Sequence, residues 1–161
     1  MYVRSVRYDH PDAVKLNADV QLEYIERYGD GDGDETPLDA SMFDPPRGLY
    51  LIAYDDDGRP LASGGWRTQD HHEDGYEDGD AELKRMYVIA EARGQGLARR
   101  LLTALEENAR AAGRTQMVLE TGDQQPEAIA LYASSGYTVS PRKFGHYRDY
   151  AGSRCFIKPL G

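Results

Sequence analysis

The sequence has one cysteine and no long apolar run, and each shortage excludes a class of protein. Cys155 alone cannot form a disulfide within the chain, and no Cys/His set has the spacing of a zinc site. No window approaches the roughly 20 apolar residues of a membrane-spanning helix. The first residues alternate with charge, unlike a signal peptide. We therefore expect a cytoplasmic protein with no membrane partner and no metal.

Positive charge is also scarce in this chain. The chain has 19 Lys and Arg residues and 28 Asp and Glu residues, which gives a net charge of -9 at pH 7. The electrostatic field of a negatively charged protein repels phosphate backbones, except where local positive groups override it. We therefore expect no nucleic-acid partner.

The order of predicted elements indicates one α/β domain. No internal repeat or long linker divides the chain, so residues 1–161 are predicted to form a single domain. Strand-like runs alternate with predicted helices at 12–28, 97–109 and 126–134. The apolar residues of 97–109 follow helical spacing most clearly. This order favours a mixed, mostly antiparallel sheet flanked by helices.

A glycine-rich turn precedes the clearest helix, and it reads Arg93-Gly94-Gln95-Gly96-Leu97-Ala98. Glycines leave room for ligand oxygens, and the first helical turn offers unpaired N–H groups and a favourable dipole end. Arg93 adds a guanidinium suited to phosphate. The pattern favours a diphosphate site, although an ordinary strand-to-helix turn has the same composition. It lacks the lysine of a P-loop, and Arg99 stands where a dinucleotide fingerprint needs a small residue.

Two segments in register resemble the GNAT superfamily of acetyl-CoA-dependent N-acetyltransferases. Leu83–Val88 followed by Arg93–Ala98 is similar to its strand and Arg/Gln-x-x-Gly-x-Gly/Ala loop. Leu131–Tyr137 is similar to its Leu-Tyr-x-x-x-Gly-Phe/Tyr signature. The resemblance covers roughly Ala81 to Tyr137. It implies a GNAT (acyl-CoA N-acyltransferase) fold, with about six to seven strands flanked by about four helices.

The resemblance also implies acetyl-CoA as the co-substrate. The backbone of the strand would pair with the pantetheine arm, the glycine turn would bind the diphosphate, and the thioester would lie where two strands splay apart. Many relatives have a cofactor-contacting asparagine ahead of the signature tyrosine, and Gln125 stands in that region here. The implied cofactor-binding residues are Met86, Tyr87, Val88, Arg93, Gly94, Gln95, Gly96, Leu97, Ala98 and Gln125.

Acetyl transfer to an amine requires a base and an acid. Removing a proton from an alkylammonium with a pKa near 10.4 costs about 4–5 kcal/mol at neutral pH, and the departing thiolate gains a proton. Glu82 is the candidate base, because strand alternation places it on one face with Met86 and a glutamate serves there in some relatives. A salt-bridged strand carboxylate is the alternative interpretation, and Glu120 is the second candidate. Tyr132, the tyrosine of the signature, is the candidate acid.

The acceptor is predicted to be a small-molecule or peptide amine. A domain that binds acyl-CoA without turnover, as a sensor or structural module, is the alternative. The acidic segment 29–35 would attract a cationic acceptor or merely keep the protein in solution. His71 and His72 lie in another acidic loop, where loop polarity explains them better than a metal site. The resemblance also allows a homodimer. Four aromatic residues are expected near acceptor loops: Tyr28, Trp66, Phe144 and Tyr147.

Overall fold

A seven-stranded sheet runs through this computed structural model, in which residues 1–29, 33–34, 36–70 and 74–161 are described. Its order is β1-β2-β3-β4-β5-β7-β6, and every neighbouring pair is antiparallel except β4 and β5. The strands are β1 (Tyr2–Ser5), β2 (Gly48–Tyr54), β3 (Pro60–Gln69), β4 (Asp80–Val88), β5 (Gln116–Gly122), β6 (Thr138–Val139) and β7 (Ser153–Pro159). The predicted mixed, mostly antiparallel sheet is confirmed.

Three α-helices lie within the described residues: α1 (Pro11–Tyr28), α2 (Leu97–Ala111) and α3 (Pro126–Ser134). The described residues also form two short 3-10 helices, at Ala40–Phe43 and Ala90–Ala92. The sequence predicts about four helices. Helix α1 begins at a proline, which suits a first turn, and ends at Gly29 in the left-handed conformation (φ 79°). No helix in the described ranges is both long and apolar enough to cross a bilayer.

The sheet is packed on both faces. Trp66 of β3 faces α2, because its Nε1 donates to Asn108 Oδ1 at 2.9 Å. The adjacent Gly65 faces the other side, where a Cβ would meet Tyr50 and Phe43. The Tyr50 hydroxyl donates to Asn17 of α1 at 3.2 Å, so α1 covers that second face.

One extra residue is inserted into β4. Ser63 pairs with Tyr87 and Gly65 pairs with Lys84, so two steps along β3 oppose three steps along β4. The insertion is a β-bulge at Arg85, which has a left-handed backbone (φ 61°), a conformation that non-glycine residues rarely adopt. A bulge of this kind reverses the side-chain alternation of the strand beyond it.

The bulge overturns the expectation that Glu82 and Met86 share a face of the strand. Glu82 contacts Arg67, on the face covered by α1. The Met86 sulfur instead lies where a Cβ on Gly64 would point, beside Leu105 of α2. Simple alternation was wrong here because it assumes that every strand residue is paired.

Strands β4 and β5 separate along their length. They pair in parallel only from Asp80 opposite Gln116 to Glu82 opposite Val118, although β4 continues to Val88 and β5 to Gly122. The unpaired remainder leaves a space that we call the interstrand gap. The gap lies where the resemblance implied a splayed pair of strands.

Candidate active site

The glycine turn leads directly into α2. Gly94 and Gly96 have left-handed backbones (φ 82° and 77°), and a Cβ at either position would meet no atom within 4 Å. Gly96 is the N-cap of α2, and no side chain of the described residues caps that helix. Exposed first-turn N–H groups beside two side-chain-free residues form a surface that suits an anion. Leu97 differs from its neighbours, because its side chain is buried in the core.

Arg93 is held against the end of β4. Its Nε donates to the Val88 carbonyl oxygen at 3.0 Å, and its Nη2 donates to Glu23 Oε1 at 3.0 Å. Its guanidinium carbon also lies 5.9 Å from the centre of the Tyr87 ring. Arg93 therefore ties β4 to α1 next to the glycine turn, while its side chain stays 44% exposed.

Tyr132 lies in the interstrand gap. It borders a recess of about 60 Å³, together with Met86 of β4 and Leu119 of β5. The Tyr132 ring packs against Tyr137, with centroids 5.7 Å apart. Burial raises the pKa of its phenol well above the usual value, and no hydrogen bond links its hydroxyl to the described residues. The structure thus places in the gap a hydroxyl that has no hydrogen-bond partner among those residues.

A larger cavity of about 500 Å³ adjoins the recess. Four tyrosines line the cavity: Tyr24, Tyr28, Tyr147 and Tyr150. Cavity and recess share six lining residues: Tyr24, Asp34, Lys84, Glu120, Thr121 and Gln125. Of the aromatic residues expected near the acceptor, Tyr28 and Tyr147 line this cavity. Trp66 and Phe144 are buried in the core instead.

Glu120 of β5 borders both spaces. Its Oε2 accepts a hydrogen bond from the Tyr147 backbone N–H at 3.2 Å and one from the Ser153 hydroxyl at 3.5 Å. Burial raises the pKa of Glu120 to about 7; the positive charge of Lys84 opposes the shift, and the negative charge of Glu82 adds to it. Glu120 is therefore a carboxylate that exchanges its proton near neutral pH.

Glu82 has a different environment. Its side chain is fully buried and accepts hydrogen bonds from Arg67 Nε at 2.6 Å, the Tyr76 hydroxyl at 2.5 Å and Gln69 Nε2 at 3.1 Å. Burial alone would raise the pKa of Glu82, but nearby Lys84 and Arg67 and these hydrogen bonds hold it below its usual value. Glu82 does not line the cavity or the recess. This geometry favours the salt-bridged interpretation.

Gln125 is the N-cap of α3 and lies between the recess and the cavity. Its Nε2 lies 3.3 Å from the Tyr28 hydroxyl. Both spaces include Gln125 in their lining. Gln125 therefore borders the cavity as well as the recess in the gap.

Two cations of β4, Lys84 and Arg85, were not predicted as site residues, and both line the recess with Asp34 of the acidic segment. Lys84 Nζ donates to Asp34 Oδ2 at 3.0 Å, and Arg85 Nη1 lies 3.6 Å from the same oxygen. Two consecutive cations in the strand were the available signal. Strand alternation sends neighbours to opposite faces, so only the bulge brings both to one carboxylate.

Several residues weighed in the sequence lie outside the described ranges, namely Asp30, Asp32, Glu35, His71 and His72. Across the ranges that are described, no three histidine, cysteine or acidic side chains gather closely enough to hold a metal ion.

Comparisons of this chain with known proteins all point to one family. A model of the acetyltransferase (GNAT) family matches residues 14–137. An IAA acetyltransferase from Azospirillum brasilense is 44% identical over 84 residues, which cover 52% of this chain and 54% of that protein. The aligned part thus spans about half the length of that relative.

Solved structures extend the likeness over the whole chain. The "putative acyl-CoA N-acyltransferase" of Klebsiella pneumoniae has a TM-score of 0.79 and 28% identity, covering 99% of this chain and 97% of that one. A phosphinothricin acetyltransferase from Sinorhizobium meliloti, in complex with acetyl-CoA, has a TM-score of 0.69 and 22% identity over 99% and 88% of the two chains. The second likeness is one of fold.

Replacing Glu82 tests its structural role. Glu82→Gln leaves the buried Arg67 guanidinium without its counter-charge, so we expect the free energy of unfolding to fall by about 3 kcal/mol. Urea unfolding at pH 7 measures the change. The exposed Glu77, which pairs with Arg142, provides the matched control Glu77→Gln with little effect. Unchanged stability combined with lost turnover would instead support Glu82 as a base.

Proposed function

Because this chain belongs to the acetyltransferase (GNAT) family and has its fold, we propose that it transfers an acetyl group from acetyl-CoA to an amine. The acceptor attacks directly while both substrates are bound. The observation that carries the proposal is the recess in the interstrand gap. A carboxylate with a pKa of about 7 and a tyrosine hydroxyl without a hydrogen-bond partner among the described residues border it together.

Acetyl-CoA fits the surface from the interstrand gap to the start of α2. Its diphosphate would bind the amides from Gly94 to Ala98, where neither glycine carries a Cβ to obstruct it. The backbone of β4 from Met86 to Val88 would pair with the pantetheine arm, since β5 does not pair with β4 there. Acetyl-CoA supplies an activated thioester, and the protein supplies its position.

Glu120 is the proposed base, in place of Glu82. It borders both the cavity and the recess, and its pKa of about 7 lets it accept a proton near neutral pH. Glu82, in contrast, is fully buried and engaged by Arg67. A base must reach the proton that it removes, and of the two carboxylates only Glu120 lines a space open to an acceptor.

Tyr132 is the proposed acid. Burial raises the pKa of its phenol, which favours the protonated form, and no described residue hydrogen-bonds to its hydroxyl. A proton donor in the gap is available to the departing thiolate, whose protonation completes the transfer.

The cavity is the proposed acceptor site. Its volume of about 500 Å³ lies in the usual range for small-molecule pockets. Its tyrosine walls suit an acceptor with an apolar body, and a peptide amine would enter through its terminal residue. The cytoplasm remains the proposed location, on the basis of the single cysteine, Cys155.

The direct test of this proposal is an acceptor screen. Purified protein is incubated with acetyl-CoA and a panel of amino acids, amines, polyamines, aminoglycosides and peptides, and free CoA thiol is followed over time. Amine-dependent thiol release supports acetyl transfer. Tight acetyl-CoA binding without release for any amine would contradict it and favour a CoA-binding module.

Tyr132→Phe separates catalysis from binding. The variant keeps the packed ring but loses the hydroxyl, so we expect turnover to fall about 100-fold while acetyl-CoA affinity is retained. Steady-state kinetics and calorimetric titration measure the two quantities. Tyr2→Phe, at an exposed ring of β1, is the matched control. Full turnover in Tyr132→Phe would remove Tyr132 from the mechanism.

Glu120→Gln tests the proposed base through the pH profile. Because Glu120 acts only when ionised, we expect wild-type kcat/KM, corrected for the free-base fraction of the acceptor, to rise with pH and level off above about 7. The variant should lose this inflection and about 100-fold in kcat/KM. Glu107→Gln on the exposed side of α2 is the control. An inflection that persists in Glu120→Gln would assign it to another group.

A further inference from the structure

Arg85 is a buried cation that the proposed chemistry does not use. It occupies the bulge of β4 with a left-handed backbone (φ 61°), and its side chain is only 4% exposed. It lines the recess together with Glu120 and Tyr132. The bulge thus places a guanidinium in the small space where the reaction is proposed to occur.

The hydrogen-bonding capacity of Arg85 is largely unused. Its Nη2 makes one long contact, 3.5 Å from the Asp34 carbonyl oxygen. Its Nε and Nη1 have no hydrogen-bond partner among the described residues. Buried guanidinium groups normally satisfy their donors, because an unpaired buried donor is costly. The arrangement is that of a site built to receive an acceptor atom from a ligand.

The local charge balance points the same way. Asp34 is the carboxylate that pairs with Arg85, at 3.6 Å, and it also holds Lys84 Nζ at the closer distance of 3.0 Å. Glu82 is occupied by Arg67. Glu120 carries only part of a negative charge near neutral pH, because its pKa is about 7. Among the described residues, the recess is therefore lined by two cations, Lys84 and Arg85, against the full negative charge of Asp34 and the partial charge of Glu120, although the whole chain carries -9.

The recess limits the size of the anion. About 60 Å³ holds a few water molecules or one small charged group. A carboxylate fits this description and forms charge-assisted hydrogen bonds with guanidinium. Arg85 and Glu120 line the same small recess, so a ligand that meets both carries its amine and its carboxylate only a few atoms apart. The adjoining tyrosine walls suit an apolar or aromatic side chain.

We propose that the acceptor is an amino acid with an aromatic or apolar side chain, whose carboxylate binds Arg85 while its amine faces Glu120. The inference rests on the proposed acetyl transfer and narrows its substrate class. It excludes polyamines and other purely cationic amines as preferred acceptors, since they would bring positive charge to Arg85 and Lys84.

Matched acceptors test the inference on the wild-type protein. Phenylalanine is compared with phenethylamine, which lacks the carboxylate, and with phenylalaninamide, which keeps the carbonyl group without the charge. We expect kcat/KM for phenylalanine to exceed both by about tenfold or more, the effect of one charge-assisted hydrogen bond. Tyrosine with tyramine and tryptophan with tryptamine repeat the comparison. Equal or better turnover of the uncharged partners overturns the inference while leaving acetyl transfer intact.

Variants of Arg85 test the assigned residue. Arg85→Met should raise KM for phenylalanine about tenfold or more and change KM for phenethylamine little, while Arg85→Lys should retain part of the preference. Arg142→Met, at an exposed arginine that bonds Glu77, is the matched control. An equal loss of kcat for phenylalanine and phenethylamine would mean that Arg85 acts on the reaction itself, which overturns the carboxylate assignment.

Binding without turnover keeps the two proposals distinguishable. Calorimetry in the presence of CoA measures 3-phenylpropionate, a carboxylate without an amine, against the wild-type protein and Arg85→Met. We expect binding to the wild type that weakens about tenfold or more in the variant. Binding without thiol release from any amine would contradict acetyl transfer and keep the carboxylate site. No binding of 3-phenylpropionate to the wild type would contradict the site, even if Arg85→Met fails to fold.

Discussion

The separation of β4 from β5 is the constraint on which the rest of this site depends. Parallel pairing stops at Glu82 and Val118, and the strands beyond that point leave a gap with unpaired backbone edges. Unpaired backbone groups in a protein interior require a partner. A pantetheine-like chain can supply that partner, and the glycine turn at the start of α2 lies at the end of the same strand. The gap, the turn and the recess around Tyr132 therefore form the surface on which the proposed substrate binding depends.

The bulge at Arg85 determines which side chains reach that surface. One extra residue in β4 turns Met86 toward α2, keeps Glu82 with Arg67 on the opposite face, and brings Arg85 into the recess. Its left-handed backbone is sparsely populated by non-glycine residues, and such strain is typical of functional sites. The consequence is a recess that Lys84 and Arg85 line, next to a cavity with four tyrosines in its walls.

Two glutamates on neighbouring strands show how environment assigns chemistry. Glu82 is fully buried with three hydrogen-bond donors, and its pKa lies below the usual value. Glu120 is only partly buried, lacks a directly bonded cation among the described residues, and has a pKa of about 7. The first stabilises the sheet as a permanent anion, and the second can exchange a proton. Both residues are glutamates on neighbouring strands, so the difference in pKa arises from what surrounds each side chain.

The sequence by itself determined the features that depend on local spacing. Three patterns lie within a few consecutive residues each: the apolar spacing of α2, the glycines before it and the signature around Tyr132. They predicted the fold and the proposed CoA end of the site. Three features depended on tertiary structure: which glutamate lines the recess, Glu82 or Glu120; the direction of the Met86 side chain; and the position of Arg85 in the recess. A bulge reverses the direction of the following side chains, but the pattern of apolar and polar residues in the sequence does not show it. Burial shifts a pKa through residues that are distant in sequence. Short-range patterns therefore predicted the fold and the glycine turn of the proposed CoA site, and only long-range packing decided which side chains line the recess and the cavity.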